Sequence, residues 1–387
     1  MTLRRVLSVN TFVMGHASYQ LGLERAFATH LPAIDFESVH LPDVSRQDLM
    51  GRIAWHLLTP RLPAVCGGAW DFHRLRSEVA SSLFLRRWLG PRLRAGRPDV
   101  LHVHTQSIAL LAGDLLRSMP SVVSLDCTSA ILARRHPHPA PRTYRPIVRL
   151  ERACLRAATR IVCWSSFARA SVIDDYGIEP ARVSVVRPAV ATRRLPPRSL
   201  RRGSRLRLLF VGNDFYRKGG HDLVEVYRAH LRSSCELDVV SNGVAELPRL
   251  ERLRLHRGLG ANAPALLQLY ADADAFVMPT YEDAFGIVYV EAMAAGLPCI
   301  GSDVLAVPEL VQDGVTGITV RPGDRAALRA AIERLRDDEP WRHRLAQAGL
   351  EFARRECDDA ANTHALTAVF EAAHAEHSTS NRSLACA

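Results

Sequence analysis

The chain has 387 residues, 48% of them hydrophobic, enough for two domains with buried cores. Its formal net charge of +10 is unevenly spread: residues 1–200 carry 28 Arg against 14 acidic side chains, whereas residues 201–387 carry 22 basic against 26 acidic. That asymmetry points to two domains with different partners. Nucleic acid is the obvious partner for the basic half, but no aromatic–basic interleaving and no nucleic-acid module accompanies the charge, so none is expected.

The eight cysteines show no CxxC pair and no metal-ligand spacing, as expected of reduced core residues in a cytosolic protein. The first twenty residues lack the unbroken apolar core and cleavage site of a signal peptide, and no run of about 18 apolar residues occurs. The expectation is a cytoplasmic protein whose basic half meets an anionic membrane surface, as a peripheral protein does, or an anionic acceptor. Of the 50 basic residues only Lys218 is a lysine, which marks a place where a compact ammonium is wanted rather than a planar fork.

In chain order, Leu3–Val9 reads as a strand and Tyr19–His30 as a helix. Gly15 sits in the loop between them, where a ligand could approach the backbone closely. Residues 49–94 read as helical, with Trp55, Phe84, Leu85, Trp88 and Leu89 among arginines, facing either lipid or ordinary packing partners. Asp99–His104 is a strand whose two histidines share a face; without a third ligand it is no zinc site, but His104 at the strand end can line a cleft. Ser121–Leu125 is the next strand and ends at Asp126. An open loop around His136 and His138 precedes a helix near 147–158, strand Arg160–Cys163, an N-cap at Ser165 or Ser166, and strand Val183–Val186.

Residues 192–204, with two prolines, a glycine and several arginines, read as a linker. After it the same alternation resumes: strand 206–211, helix 221–231, strand 237–240, helix 264–271, strand 275–277, helix 287–295, strand 299–301, strand 317–320 and helix 324–335. Alternating strands and helices in both halves predict an α/β protein of two Rossmann-like parallel sheets facing a central cleft. The expected boundaries are a first domain over 1–191, the linker, a second domain over 205–358, a helix over 359–377 returning to the first, and a disordered tail from 378.

Two stretches of the second half carry chemistry. The loop Gly212–Gly220 places Arg217 and Lys218 between a strand and a helix, which suits a diphosphate, though it is not a Walker loop. The stretch Pro279–Gly301 delivers Glu282 and Asp283 to the N-terminus opened by Phe285, Gly286 and Ile287, with Glu291 about one and a half turns in. Backbone N–H groups there suit phosphate or sugar oxygens, and carboxylates accept hydrogen bonds from sugar and ribose hydroxyls. The blander alternative makes Glu282 and Asp283 helix caps and Glu291 a solvated residue. Gly258-Leu259-Gly260 opens a loose dinucleotide fingerprint, with Asn262 as cap and Glu282 about 20 residues on; an NAD-dependent oxidoreductase built on it leaves Lys218 idle, and the same loop could instead pack against a nucleobase.

On VGNDFYRKGG, LLQLYADADAFVMPTYEDAFGIVYVEAMAAGLPCIGSD and VPELVQDGVTGITVRPGD the second half resembles the retaining glycosyltransferases of the GT-B fold, of the group-1 or family-four type; the first half matches more loosely, through Gly15 and DVLHVH. The resemblance implies a UDP- or GDP-linked sugar donor on the second domain, a saccharide or lipid-linked acceptor on the first, no other cofactor and no metal. Lys218 and Arg217 hold the diphosphate, Glu291 the ribose and the acid before Phe285-Gly286 the sugar. Seven residues separate Asp283 from Glu291, so Asp283 takes the first acidic place and Glu282 is an extra neighbour. Asn213 stands where the family often has Arg, and Asp126 where it often has His. Asp126 or His104 is then the candidate base, and transfer proceeds on the front face with the anomeric configuration kept. A non-catalytic module binding a nucleotide or polyanion is the rival from another class.

Overall fold

The computed structural model describes residues 3–11, 16–41, 72–135, 140–190, 205–260 and 263–385. The chain forms two compact units, Met1–Arg187 with Ala360–Ala387, and Pro188–Asp359. Gly15, Trp55, the 136–138 loop, the 192–204 linker and Asn262 lie outside the described residues.

In the first unit β1 (Arg5–Asn10), β2 (Asp35–His40), β3 (Val100–His104), β4 (Ser121–Leu125), β5 (Arg160–Cys163) and β6 (Val183–Val185) form one parallel sheet in the order β2-β1-β3-β4-β5-β6. Helices α1 (His16–His30), α2 (His73–Ala95), α3 (Gly113–Arg117), α4 (Ser129–Arg135), α5 (Ala140–Ala157) and α6 (Ser166–Asp174) connect them. β3 and β4 are buried throughout, as central parallel strands covered on both faces must be. Alternation splits the core. Leu101, Val103 and Val123 pack with Phe84, Leu85 and Leu89 of α2 on one face, and Val100 and Val122 pack with Phe27 of α1 on the other. Phe84, Leu85 and Leu89 therefore fill the core and do not face lipid, and Trp88 is half-buried against the same core with the Arg92 guanidinium 4.2 Å above its ring. Strand β2, DFESVH, was not legible because it is a polar edge strand.

The second sheet comprises β7 (Leu206–Val211), β8 (Cys235–Val240), β9 (Leu253–His256), β10 (Ala275–Val277), β11 (Cys299–Ser302) and β12 (Gly317–Val320), parallel and ordered β12-β11-β10-β7-β8-β9. Its helices are α7 (Gly220–Val226), α8 (Pro264–Asp272), α9 (Ile287–Ala294), α10 (Val307–Leu310), α11 (Arg325–Asp337) and α12 (Glu339–Glu356). β9 lies inside the charged segment 251–257, ERLRLHR, which has no apolar run; it is the sheet edge, where one side needs no burial. The last helix, α13 (Asp359–Ala385), packs Leu366 and Phe370 into the first unit's core. It continues past Ser378 to Ala385, so the tail expected to be disordered is helical that far.

Each sheet has one switch point. The first unit's chain starts at β1, moves to β2, then crosses back to β3; the second starts at β7, runs out to β9, then crosses back to β10. The loops after β1 and β3, and after β7 and β10, are therefore where ligands of such sheets sit. The described cysteines are buried, and among the described residues no helix is long and apolar enough to cross a membrane.

Candidate active site

In the second unit β7 and β10 are neighbours, with Leu208 opposite Ala275, so the loops after them leave the same sheet edge side by side. Backbone bonds stitch these loops together. The Arg217 carbonyl accepts from Tyr281 N at 2.8 Å and from the Thr280 hydroxyl at 3.2 Å, while Arg217 Nη1 donates to the Glu282 carbonyl at 2.6 Å. Gly219, at φ +73°, permits the approach, since a Cβ there would lie 2.0 Å from the Pro279 carbonyl oxygen.

The stitching sets Lys218 Nζ on Asp283 Oδ2, an ion pair whose side chains are only 14% and 12% exposed. Burial pulls the Lys218 ammonium below its ordinary range, and Asp283 opposes that pull. Arg217 leans on Asp214, its Nε 2.7 Å from Oδ2. Helix α9 starts at Gly286, which has φ +89°, and no side chain caps it. Among the described residues neither Glu282 nor Asp283 serves as a cap, so the capping alternative falls and the first amides of α9, from Ile287, have no side-chain acceptor. Phe285 is buried beneath this turn.

Glu291 is half-buried on α9, and its Oε2 accepts from the Tyr270 hydroxyl at 2.9 Å. Burial pushes its carboxyl up to about 7, with the Tyr270 bond pulling the other way. It is not the solvated residue of the blander alternative. Tyr270 comes from α8, and nothing in the sequence announced it as a partner. Asn213 is exposed, and its Oδ1 accepts from Asn242 N at 3.2 Å; Asn242 Oδ1 accepts from Gly258 N at 2.8 Å. The Gly258 amide is thus occupied within the protein, and half-exposed Leu259 follows it. The Gly258–Gly260 fingerprint follows the edge strand β9, away from the switch point, and the N-cap of α8 is Ala263 rather than Asn262.

In the first unit the switch point gathers His104, Asp126 and one residue that sequence inspection passed over, His16. His16 Nδ1 lies 2.8 Å from His104 Nε2, and His16 Nε2 lies 3.6 Å from Asp126 Oδ2. The signal for His16 was its place immediately after Gly15. Trp164 stacks on the His104 ring at 5.0 Å, with Tyr19 4.8 Å away on another side. Burial, with His16 and His102 adding to it, holds His104 well below the usual histidine range, so its ring is neutral near pH 7. Asp126 keeps 21% of its side chain open to solvent, whereas His104 has none. His102 bonds Ser8 at 2.9 Å and Ser124 at 2.7 Å, and burial holds it down at about 3. It is a satisfied core histidine. Among the described residues no group of three or more His, Cys, Asp or Glu could hold a metal ion.

The family model described as Glycosyl transferases group 1 matches residues 205–338, and the one described as Glycosyltransferase Family 4 matches residues 13–194. The chain is 29% identical over 294 residues to a glycogen synthase of Mycobacterium tuberculosis, covering 72% of this chain and 70% of that one. Its fold is similar to that of sucrose-phosphate synthase from Thermosynechococcus elongatus, with a TM-score of 0.72 at 18% identity over 96% of this chain and 100% of the other. It is also similar to that of Anabaena HepE, whose crystal structure is in complex with UDP and glucose, with a TM-score of 0.67 at 16% identity over 95% and 100%.

Proposed function

The chain belongs to the group-1, family-four glycosyltransferases of the GT-B fold, and from that premise we propose that it transfers a sugar, with retention of anomeric configuration, from a UDP- or GDP-linked donor to a hydroxyl of a saccharide or lipid-linked acceptor. Synthesis of cell-surface polysaccharide or glycolipid at the cytoplasmic face of a membrane is the setting that fits the basic first half. The observation that carries the reading is the Lys218–Asp283 pair beside the uncapped start of α9.

Lys218 and Arg217, with the open amides at Gly286 and Ile287, stabilise charge on the leaving diphosphate. Cationic side chains and a helix terminus supply that stabilisation without a metal. Asp283 accepts hydrogen bonds from the sugar's hydroxyls, with Glu282 beside it, and Glu291 from those of the ribose. Gly15 and Asn213 admit the ligand closely at their loops. The acceptor hydroxyl attacks the anomeric carbon on the face the diphosphate leaves, and its proton passes to a departing phosphate oxygen or to Asp126. His104, buried and held neutral, positions His16 beside Asp126.

Turnover of a panel of UDP-, GDP- and ADP-sugars tests this. Transfer or slow hydrolysis of one of them is expected. A protein whose melting temperature rises with a nucleotide but which turns over no donor is the non-catalytic binding module instead. Selective binding of NAD(H) marks the oxidoreductase.

A further inference from the structure

The loops after β7, β8 and β9, three adjacent strands, are joined edge to edge by two asparagines. An amide side chain has one acceptor, its oxygen, and two N–H donors. In Asn213 the oxygen receives the backbone N–H of Asn242, and in Asn242 it receives that of Gly258. A backbone N–H can be received only by oxygen, so the orientation of both amides is set. What each then offers outward is N–H alone. Both side chains are exposed, and among the described residues neither amide nitrogen has a protein acceptor.

The ledge is tight at Gly243 and open at Gly258. A Cβ on Gly243 would fall 1.6 Å from the Asn213 carbonyl oxygen, whereas Gly258, at φ +71°, faces open space. It begins at Asn213, in the same loop as Lys218, and extends over the ends of β8 and β9 to the sheet edge. Resting on the donor assignment above, we propose that Asn242, with Asn213 beside it, reads the base of the nucleotide and selects a keto base, uracil or guanine, over adenine. A keto oxygen accepts from the amide N–H. In the place of that keto oxygen adenine presents its exocyclic amino group, itself a donor, which leaves the amide unpaired there. Sites built to pair one polar group discriminate strongly against a ligand that lacks it.

The isosteric variants Asn242→Asp and Asn213→Asp test this, because a carboxylate keeps accepting the backbone N–H while the outward donor is lost. Calorimetric titration of the full chain with UDP, GDP and ADP gives the readout, with melting curves confirming that each variant is folded. The wild-type chain is expected to bind UDP or GDP at least about tenfold more tightly than ADP, and Asn242→Asp to reduce that ratio at least about fivefold. Added negative charge beside the diphosphate weakens all three nucleotides alike and cancels in the ratio. An unchanged ratio in Asn242→Asp, or ADP bound by the wild-type as tightly as UDP and GDP, overturns the inference alone. Binding of none of the three overturns the donor assignment with it.

Discussion

Lys218 and Asp283 are 65 residues apart in the chain, yet the ammonium of one rests on the carboxylate of the other, because β7 and β10 are neighbours. Removing one member leaves the other buried without its counter-charge. Lys218→Met is expected to lower donor turnover by about 10²-fold or more and to cost about 3–5 kcal/mol of stability. The double variant Lys218→Met with Asp283→Asn recovers most of the stability and none of the turnover. Denaturant melts and a donor assay on the three variants check both halves; near-normal turnover in Lys218→Met removes the lysine from the diphosphate role.

Glu291 makes the chain sensitive to pH. Its folded carboxyl is raised from the ordinary glutamate value to about 7, so the folded state binds this proton more tightly than the unfolded state. Stability from this group is therefore greatest at low pH and falls as pH rises from about 4.5 through about 7. Glu291→Gln is expected to be more stable than wild-type by about 1–3 kcal/mol at pH 8, with the gain vanishing near pH 4. Urea melts at both pH values measure it.

On the proposed donor assignment the same carboxyl accepts from the ribose hydroxyls best when ionised, so the donor KM is expected to rise as pH falls below about 7. Tyr270→Phe removes the bond that favours the ionised form and moves that midpoint to higher pH. An unmoved midpoint separates Glu291 from donor binding.

Two glycines with left-handed backbone differ in what surrounds them. Gly219→Ala drives a methyl into the Pro279 carbonyl and separates the stitched loops, so loss of both stability and donor binding is expected. Gly258→Ala meets open space and costs only the backbone strain, about 1 kcal/mol. Thermal melts and donor titration of the pair compare the two.

In the first unit Asp126 is partly open to solvent, whereas His104 is buried and linked to it through His16. Asp126→Asn is expected to lower kcat about tenfold or more with little change in donor KM. His104→Gln is expected to lower the melting temperature and to leave kcat within about threefold of wild-type. A kcat that falls in His104→Gln and not in Asp126→Asn reverses the two roles.

Sequence by itself determined the fold class, because apolar runs such as SVVSL and LLFV can be buried on both faces only in parallel sheets covered by helices. It also singled out Lys218, Asp283 and Glu291, whose residue types and loop positions announce charge where a strand ends. Tertiary structure alone decided who meets whom. The strand orders put β7 beside β10 and β1 beside β3, and from that follow the Lys218–Asp283 pair, the Tyr270 bond to Glu291 and the His16 contact with His104 and Asp126. The polar edge strands β2 and β9 escaped notice because a strand that needs burial on one side only carries no apolar run. Local pattern reports what each segment must bury; which loops become neighbours depends on the crossovers between distant strands, and no local window contains that information.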